Sequence, residues 1–292
     1  MRLNIENVTY SYGKKNDVDN VSLHVNIGEF VGIIGPNGSG KSTLLKNTYR
    51  ALRPNQGQIL LDGENLHGMS YKKSARKIAV VGQENDMAYD FSVEEIVAMG
   101  RSPHKGLFDF DNKHDKEIVS SALKQLGLDE LADKNFLNLS GGEKQRTLIA
   151  RALAQESDFF ILDEPTNHLD ISHQMQIFDF IKHLDVTVLS AIHDLNLAAL
   201  YCDRIYVLKD GKVILEGAPE EVLTEENIYN IYGVRSCVAK HHVTGKTSIT
   251  FLPSEDKKVY RPRKGERHEK KTYSPAYRHP RPVYNNSMCS SR

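Results

Sequence analysis

Four short apolar runs, three closing on polar residues and one on a glycine-rich loop, set the frame of this chain. Phe30-Val31-Gly32-Ile33-Ile34 runs into Gly35, Lys77-Ile78-Ala79-Val80-Val81-Gly82 into Gln83, Asp158-Phe159-Phe160-Ile161-Leu162 into Asp163-Glu164, and Val186-Thr187-Val188-Leu189-Ser190-Ala191-Ile192 into His193. Near-continuous apolar runs of this length predict strands buried on both faces, the pattern of a parallel sheet. Helical spacing follows two of the turns. Leu44, Leu45 and Leu52 fall on the apolar side of a helix beginning near Lys41, and Leu148, Ile149, Ala152 and Leu153 share one face of residues 144 to 154. Ser140 and Glu143 form the S-x-x-E capping box that starts the second helix. A hairpin is predicted around Asp210-Gly211, with Ile205 to Leu208 and Val213 to Leu215 as its arms.

Open parallel sheets bind ligands at the carboxyl ends of their strands, so Lys41, Gln83, Asp163 and His193 can share one crevice although they lie far apart in sequence. The first strand supplies the most specific signal. Gly35-Pro36-Asn37-Gly38-Ser39-Gly40-Lys41-Ser42 lies between that strand and a helix, the context required of a P-loop. Its backbone N–H groups aim at the phosphates of a nucleoside triphosphate, Lys41 reaches the β and γ oxygens, and the Ser42 hydroxyl becomes a magnesium ligand. The helix dipole adds to the same anion site. Asp163 is expected to hold the magnesium ion through water, and Glu164 to orient or deprotonate the attacking water. Gln83 is expected to ligate the metal or hold that water, and His193 to reach the γ-phosphate. Neither would attract notice alone, since an isolated Gln is usually a surface amide and an isolated His a structural one.

The glycines after Ser140 offer a second anion site at a helix N-terminus. If that helix lies on a different lobe from the P-loop, it needs a partner. A head-to-tail pair, in which each chain's Ser140 and Gly142 close over the nucleotide held by the other, satisfies both ends.

Charge changes the picture at one end of the 292 residues. The formal net charge is zero, yet residues 254–292 hold 11 Lys or Arg against 4 acids, leaving the rest of the chain net negative. That tail is rich in Pro, Tyr and Ser without an apolar period, so it is expected to be a basic, disordered extension, and residues 1–253 the folded unit. Nucleic acid is not an expected partner. No run approaches the roughly 18 to 20 apolar residues of a spanning helix, and Met1-Arg2-Leu3-Asn4-Ile5-Glu6 lacks a signal-peptide core, which predicts a cytosolic protein. Cys202, Cys237 and Cys289 are far apart and predict neither disulfides nor a zinc site.

Taken together, the motifs resemble those of an ATP-binding cassette (ABC) ATPase over about Leu3 to Tyr232. Gly35 to Ser42 resembles the Walker A loop, Gln83 the Q-loop glutamine, Leu139-Ser140-Gly141-Gly142-Glu143 the signature, Phe159 to Glu164 the Walker B strand with its catalytic glutamate, and His193 the switch histidine. Asp170, in Thr166-Asn167-His168-Leu169-Asp170, falls on the D-loop aspartate that couples the two sites across the dimer in this family. Tyr12 matches the aromatic residue that stacks on adenine, with Tyr10 a packed strand residue. Thr43 falls among the ATP-binding residues.

The resemblance implies an α/β fold with a P-loop NTPase core, a mostly parallel sheet, a small antiparallel β subdomain and a helical subdomain at about residues 84–157. It also implies magnesium-dependent ATP hydrolysis, a homodimer, and a membrane permease driven from the cytoplasmic face. The permease groove is expected near Gln83 to Arg101, including Tyr89 and Phe91. Phe91 to His104 and His193 to Ala199 look like the importers of ferric siderophores, heme and cobalamin, which also use an extracytoplasmic solute-binding protein. The competing class is a soluble cassette protein acting in cluster assembly, DNA repair or translation. Such proteins often carry a second P-loop or a coiled-coil insertion, and the sequence shows neither.

Overall fold

The computed structural model describes residues 1–82, 90–106, 109–110, 112–167 and 169–253. Gln83, Tyr89 and the tail therefore lie outside the described residues. The chain opens with strands β1 (Leu3–Tyr10), β2 (Val18–Val25) and β3 (Phe30–Ile34), then helix α1 (Lys41–Thr48), β4 (Gln56–Leu61), β5 (Glu64–Asn65), α2 (Tyr71–Ala75) and β6 (Ile78–Val81). Helices α3 (Val93–Ala98), α4 (Lys113–Gln125) and α5 (Gly141–Ala154) follow and pack on one another. The remainder alternates: β7 (Phe159–Asp163), α6 (Ile171–Lys182), β8 (Thr187–Ala191), α7 (Leu195–Tyr201), β9 (Arg204–Lys209) and β10 (Lys212–Gly217). It closes with α8 (Pro219–Val222), α9 (Glu225–Tyr232), β11 (Ser236–Lys240) and β12 (Thr247–Phe251).

The central six-stranded sheet has the order β10-β9-β3-β8-β7-β6, parallel except for the β9–β10 hairpin. Its strands alternate between two cores. Phe30, Ile34, Phe160 and Leu162 face the core shared with the helices that include α5 and α6, whereas Val31, Ile33, Phe159 and Ile161 face a second core with Leu44 and Leu45 of α1. Both faces are therefore buried, which is why these strands read as unbroken apolar runs. That second core also takes Leu3, Ile5 and Leu61 from the antiparallel sheet β2-β1-β4-β5. The sheet's parallel sense puts the ends of β3, β7 and β8 on one edge.

Leu52 does not continue the first helix. Asn47 and Thr48 turn their side chains back onto the Thr43 and Leu44 carbonyls, Arg50 takes a left-handed backbone (φ 67°), and Leu52 lies half-buried beyond the helix end. Short polar side chains that bond the preceding turn compete with helix propagation.

Candidate functional site

A crevice of about 620 Å³ opens at the carboxyl edge of the sheet, lined by residues 37–43 with Glu164, Asn167 and His193. Two glycines of the loop are there because nothing else fits. Gly35 (φ 151°) would place a Cβ 2.0 Å from the Leu208 carbonyl oxygen, and Gly40 (φ 101°) one 2.3 Å from that of Asp17. Gly40 is also the N-cap of α1 and supplies no side-chain cap, so the first N–H groups of the helix have no capping side chain to occupy them. Lys41 is buried, and its Nζ donates to the carbonyls of Gly35 (2.9 Å) and Pro36 (3.2 Å). Burial lowers its pKa, opposed by Glu164 and Asp163. A partly dehydrated ammonium curled onto its own loop is a strong electrostatic partner for an anion entering the crevice.

Asp163 ends β7, and its Oδ1 accepts a 2.9 Å hydrogen bond from the Ser42 hydroxyl. Burial raises the Asp163 pKa from its usual value, opposed by the Ser42 bond, and neighbouring Glu164 pushes the same way as burial. A buried carboxylate beside a hydroxyl is an oxygen donor set suited to a hard cation such as magnesium, which would relieve the cost of that charge. Glu164 leaves the strand with a left-handed backbone (φ 54°), and its side chain is only 12% exposed. Its Oε1 meets His193 Nε2 and its Oε2 accepts from Asn167 Nδ2. Asn167 was not singled out from the sequence, because an Asn in a Thr-Asn turn ordinarily signals only the turn.

Among the described residues, none of 140–143 lines this crevice. Ser140 caps α5 as a full capping box: its Oγ accepts from the Glu143 N–H (3.4 Å) and donates to Glu143 Oε2 (2.7 Å), while its own N–H donates to that same oxygen (2.8 Å). The Ser140 hydroxyl and then its N–H hold the Glu143 carboxyl below its usual pKa. Gly142 has an in-chain reason to be glycine, since a Cβ there would approach the His173 ring to 2.7 Å. His173 belongs to α6 and is fixed by Asp170, which caps that helix through the His173 N–H (2.9 Å) and meets His173 Nδ1 (2.8 Å). The signature helix and the segment carrying Asp170 are thereby in contact within one chain.

Tyr12 is 60% exposed and meets Tyr10 edge to face at 5.0 Å, whereas Tyr10 is half-buried against the second core. A separate groove of about 380 Å³ is lined by Tyr49, Arg50, Tyr71, Met99, Pro103 and Arg151 among others. Arg50 stacks over the Tyr71 ring at 4.1 Å. Phe91 packs half-buried against the core shared with α5 and α6.

A family model described as ABC transporter matches residues 18–167. The chain is 41% identical over 255 residues to the ferric enterobactin transport ATP-binding protein of Escherichia coli (strain K12), covering 86% of this chain and 94% of that protein. It is 41% identical over 236 residues to a petrobactin import ATP-binding protein of Bacillus anthracis, covering 80% and 87%. Among solved structures, it is similar to the dimeric structure of a bacterial ABC transporter cassette, with TM-score 0.67, 31% identity, and coverage of 74% of this chain and 98% of the other.

Proposed function

The chain belongs to the ABC transporter family of ATP-hydrolysing cassettes, and from that premise we propose that it energises uptake of an iron–siderophore complex through a membrane permease. The observation that carries the reading is the single crevice joining the Gly35–Ser42 loop to Glu164 and His193, next to the Ser42–Asp163 pair. The siderophore assignment is supported by the relatives, whose names specify ferric enterobactin and petrobactin. Those names favour transport over a soluble cassette protein.

Within the crevice, residues 35–43 wrap the triphosphate, with Lys41 moving from the Gly35 and Pro36 carbonyls to the β and γ oxygens. Ser42 and Asp163 would hold magnesium, which supplies neutralisation of the charge on those oxygens. Glu164 takes a proton from the attacking water, and His193 turns from Glu164 to the γ-phosphate. Gln83, outside the described residues, is assigned to the metal or the water on its resemblance alone. Tyr12 stacks on adenine. Ser140, Gly141, Gly142 and Glu143 act on the nucleotide of a second copy, with Asp170 coupling the two sites; the similar cassette's dimeric state supports the pairing of two copies.

The groove between Tyr71 and Met99 suits a cytoplasmic segment of the permease. It combines exposed aromatic and sulfur surface with the guanidinium of Arg151, whose pKa burial lowers. No helix among the described residues is long and apolar enough to cross a membrane, so attachment is assigned to that docking, on the cytoplasmic face. An extracytoplasmic solute-binding protein delivers the cargo. Uptake of iron-55-loaded enterobactin and petrobactin by a deletion strain, against labelled heme and cobalamin, tests the cargo. Loss of siderophore uptake alone supports the proposal, and loss of only heme or cobalamin uptake overturns it.

A further inference from the structure

Both carboxylate oxygens of Glu164 are engaged, but by donors of different kinds. His193 reaches Oε1 from the loop after β8; its side chain is 38% exposed and lines the crevice. Asn167 Nδ2 donates to Oε2 from inside the turn that Glu164 itself begins. That turn is tied down locally. The Asn167 N–H donates to the Glu164 carbonyl (3.3 Å), the Leu169 N–H to that of Thr166 (3.3 Å), and the Gln174 side chain braces the carbonyls of Thr166 (3.2 Å) and Leu169 (3.0 Å) from α6. An exposed imidazole on another strand's loop can swing to a phosphate. A carboxamide three residues along a braced turn cannot follow it.

Once His193 has turned to the γ-phosphate, Asn167 is the side chain among the described residues still bonded to the Glu164 carboxylate. An amide N–H donor accepts no proton itself, so it can orient a carboxylate without competing for the proton that the carboxylate takes up. We propose that Asn167 is a positioning residue for ATP hydrolysis, holding Oε2 so that Oε1 faces the attacking water after His193 leaves. The inference rests on Glu164 acting as the general base. It goes beyond that reading by separating two functions of the Glu164 contacts: His193 as the part that responds to nucleotide and Asn167 as the part that stays.

A double-mutant cycle on the purified full chain tests it, with single-turnover hydrolysis and ATP titration as readouts. Asn167→Asp keeps the shape and removes the donor; Asn167→Ala removes both. Loss of one charge-assisted hydrogen bond at the reacting group lowers the turnover rate about 10- to 100-fold in either variant, with KM for ATP held within about 3-fold. In a Glu164→Gln background, adding Asn167→Ala should cost no further rate, because residues acting through one another are not additive. A parental rate in Asn167→Asp, or a full additional loss on top of Glu164→Gln, overturns the positioning role. If Glu164→Gln itself hydrolyses at the parental rate, the general-base reading falls and the positioning role with it. If Glu164→Gln is inactive while Asn167→Asp is fully active, only the positioning role falls.

Discussion

The P-loop helix α1 and the signature helix α5 both begin at glycine-rich segments, and their N-termini are finished in opposite ways. At α1 the cap is Gly40 in a left-handed conformation with no side chain to offer, so the first N–H groups are left for a ligand. At α5 the cap is complete, with Ser140 and Glu143 satisfying one another. The difference teaches that helix dipole alone does not make a phosphate site. The first end is prepared for an anion within its own chain, whereas the second must exchange a bond to Glu143 before Ser140 can meet one. One helix end ready and the other self-satisfied is the arrangement that the proposed ATP-bridged pair of copies requires.

The largest effect that would sharpen this contrast lies on the α1 side. Glu164→Gln should lower ATP turnover about 10²- to 10⁴-fold, the usual worth of a positioned general base, while ATP binding persists and the dimer accumulates. Gel filtration with and without ATP reads both at once. Next in size, Asp163→Asn should cut magnesium-dependent hydrolysis on the order of 10²-fold. The same change should raise the stability of the nucleotide-free protein at pH 7 by about 1 kcal/mol, because a buried carboxylate is replaced by a neutral amide. The sign follows from linkage: burial raises the Asp163 pKa, so its contribution to stability is fully present below the usual 3.8 and is lost as pH rises through the raised native value. Thermal melts of both proteins across that range check it; a less stable variant at pH 7 would contradict it.

Smaller changes probe what lies around the two helices. Tyr12→Ala should weaken ATP binding about 10-fold with little change in turnover, and Tyr12→Phe should restore it, since the proposed contact is stacking of the base on the ring. Titration with a fluorescent ATP analogue distinguishes this from a defect in hydrolysis. On the α5 side, Ser140→Ala should cost about 1 kcal/mol of stability as a lost cap, read by denaturant melts. The capping carboxylate adds a pH signature. Because Ser140 holds the Glu143 pKa below its usual 4.5, the cap contributes fully above that value and is lost as pH falls through the lowered one. Glu143→Gln should flatten that dependence, by no more than a few tenths of a kcal/mol at so exposed a site.

The α1 half was legible in sequence because phosphate chemistry leaves local marks: glycines where a Cβ would strike Leu208 or Asp17, and acids directly after an apolar strand. The capping box was legible for the same reason, as its residues sit three apart. Contacts that depend on tertiary geometry were not. Asn167 reaches Glu164 only because Glu164 adopts a left-handed turn, and His173 explains Gly142 only once α5 and α6 are packed together. The end of α1 at Thr48 was hidden because Leu52 continues the apolar spacing while side-chain bonds from Asn47 and Thr48 interrupt the helix.

On the proposed mechanism, the self-capped Ser140 of one copy completes the site prepared by the P-loop of another. A structure of the Glu164→Gln protein with ATP and magnesium tests it most directly. The γ-phosphate is expected within hydrogen-bonding reach, about 3 Å, of Ser140 from the opposite chain, with the Ser140–Glu143 hydroxyl bond broken. A nucleotide met by its own chain's Ser140, or a bound state in which Ser140 keeps its bond to Glu143 far from any phosphate, would contradict it.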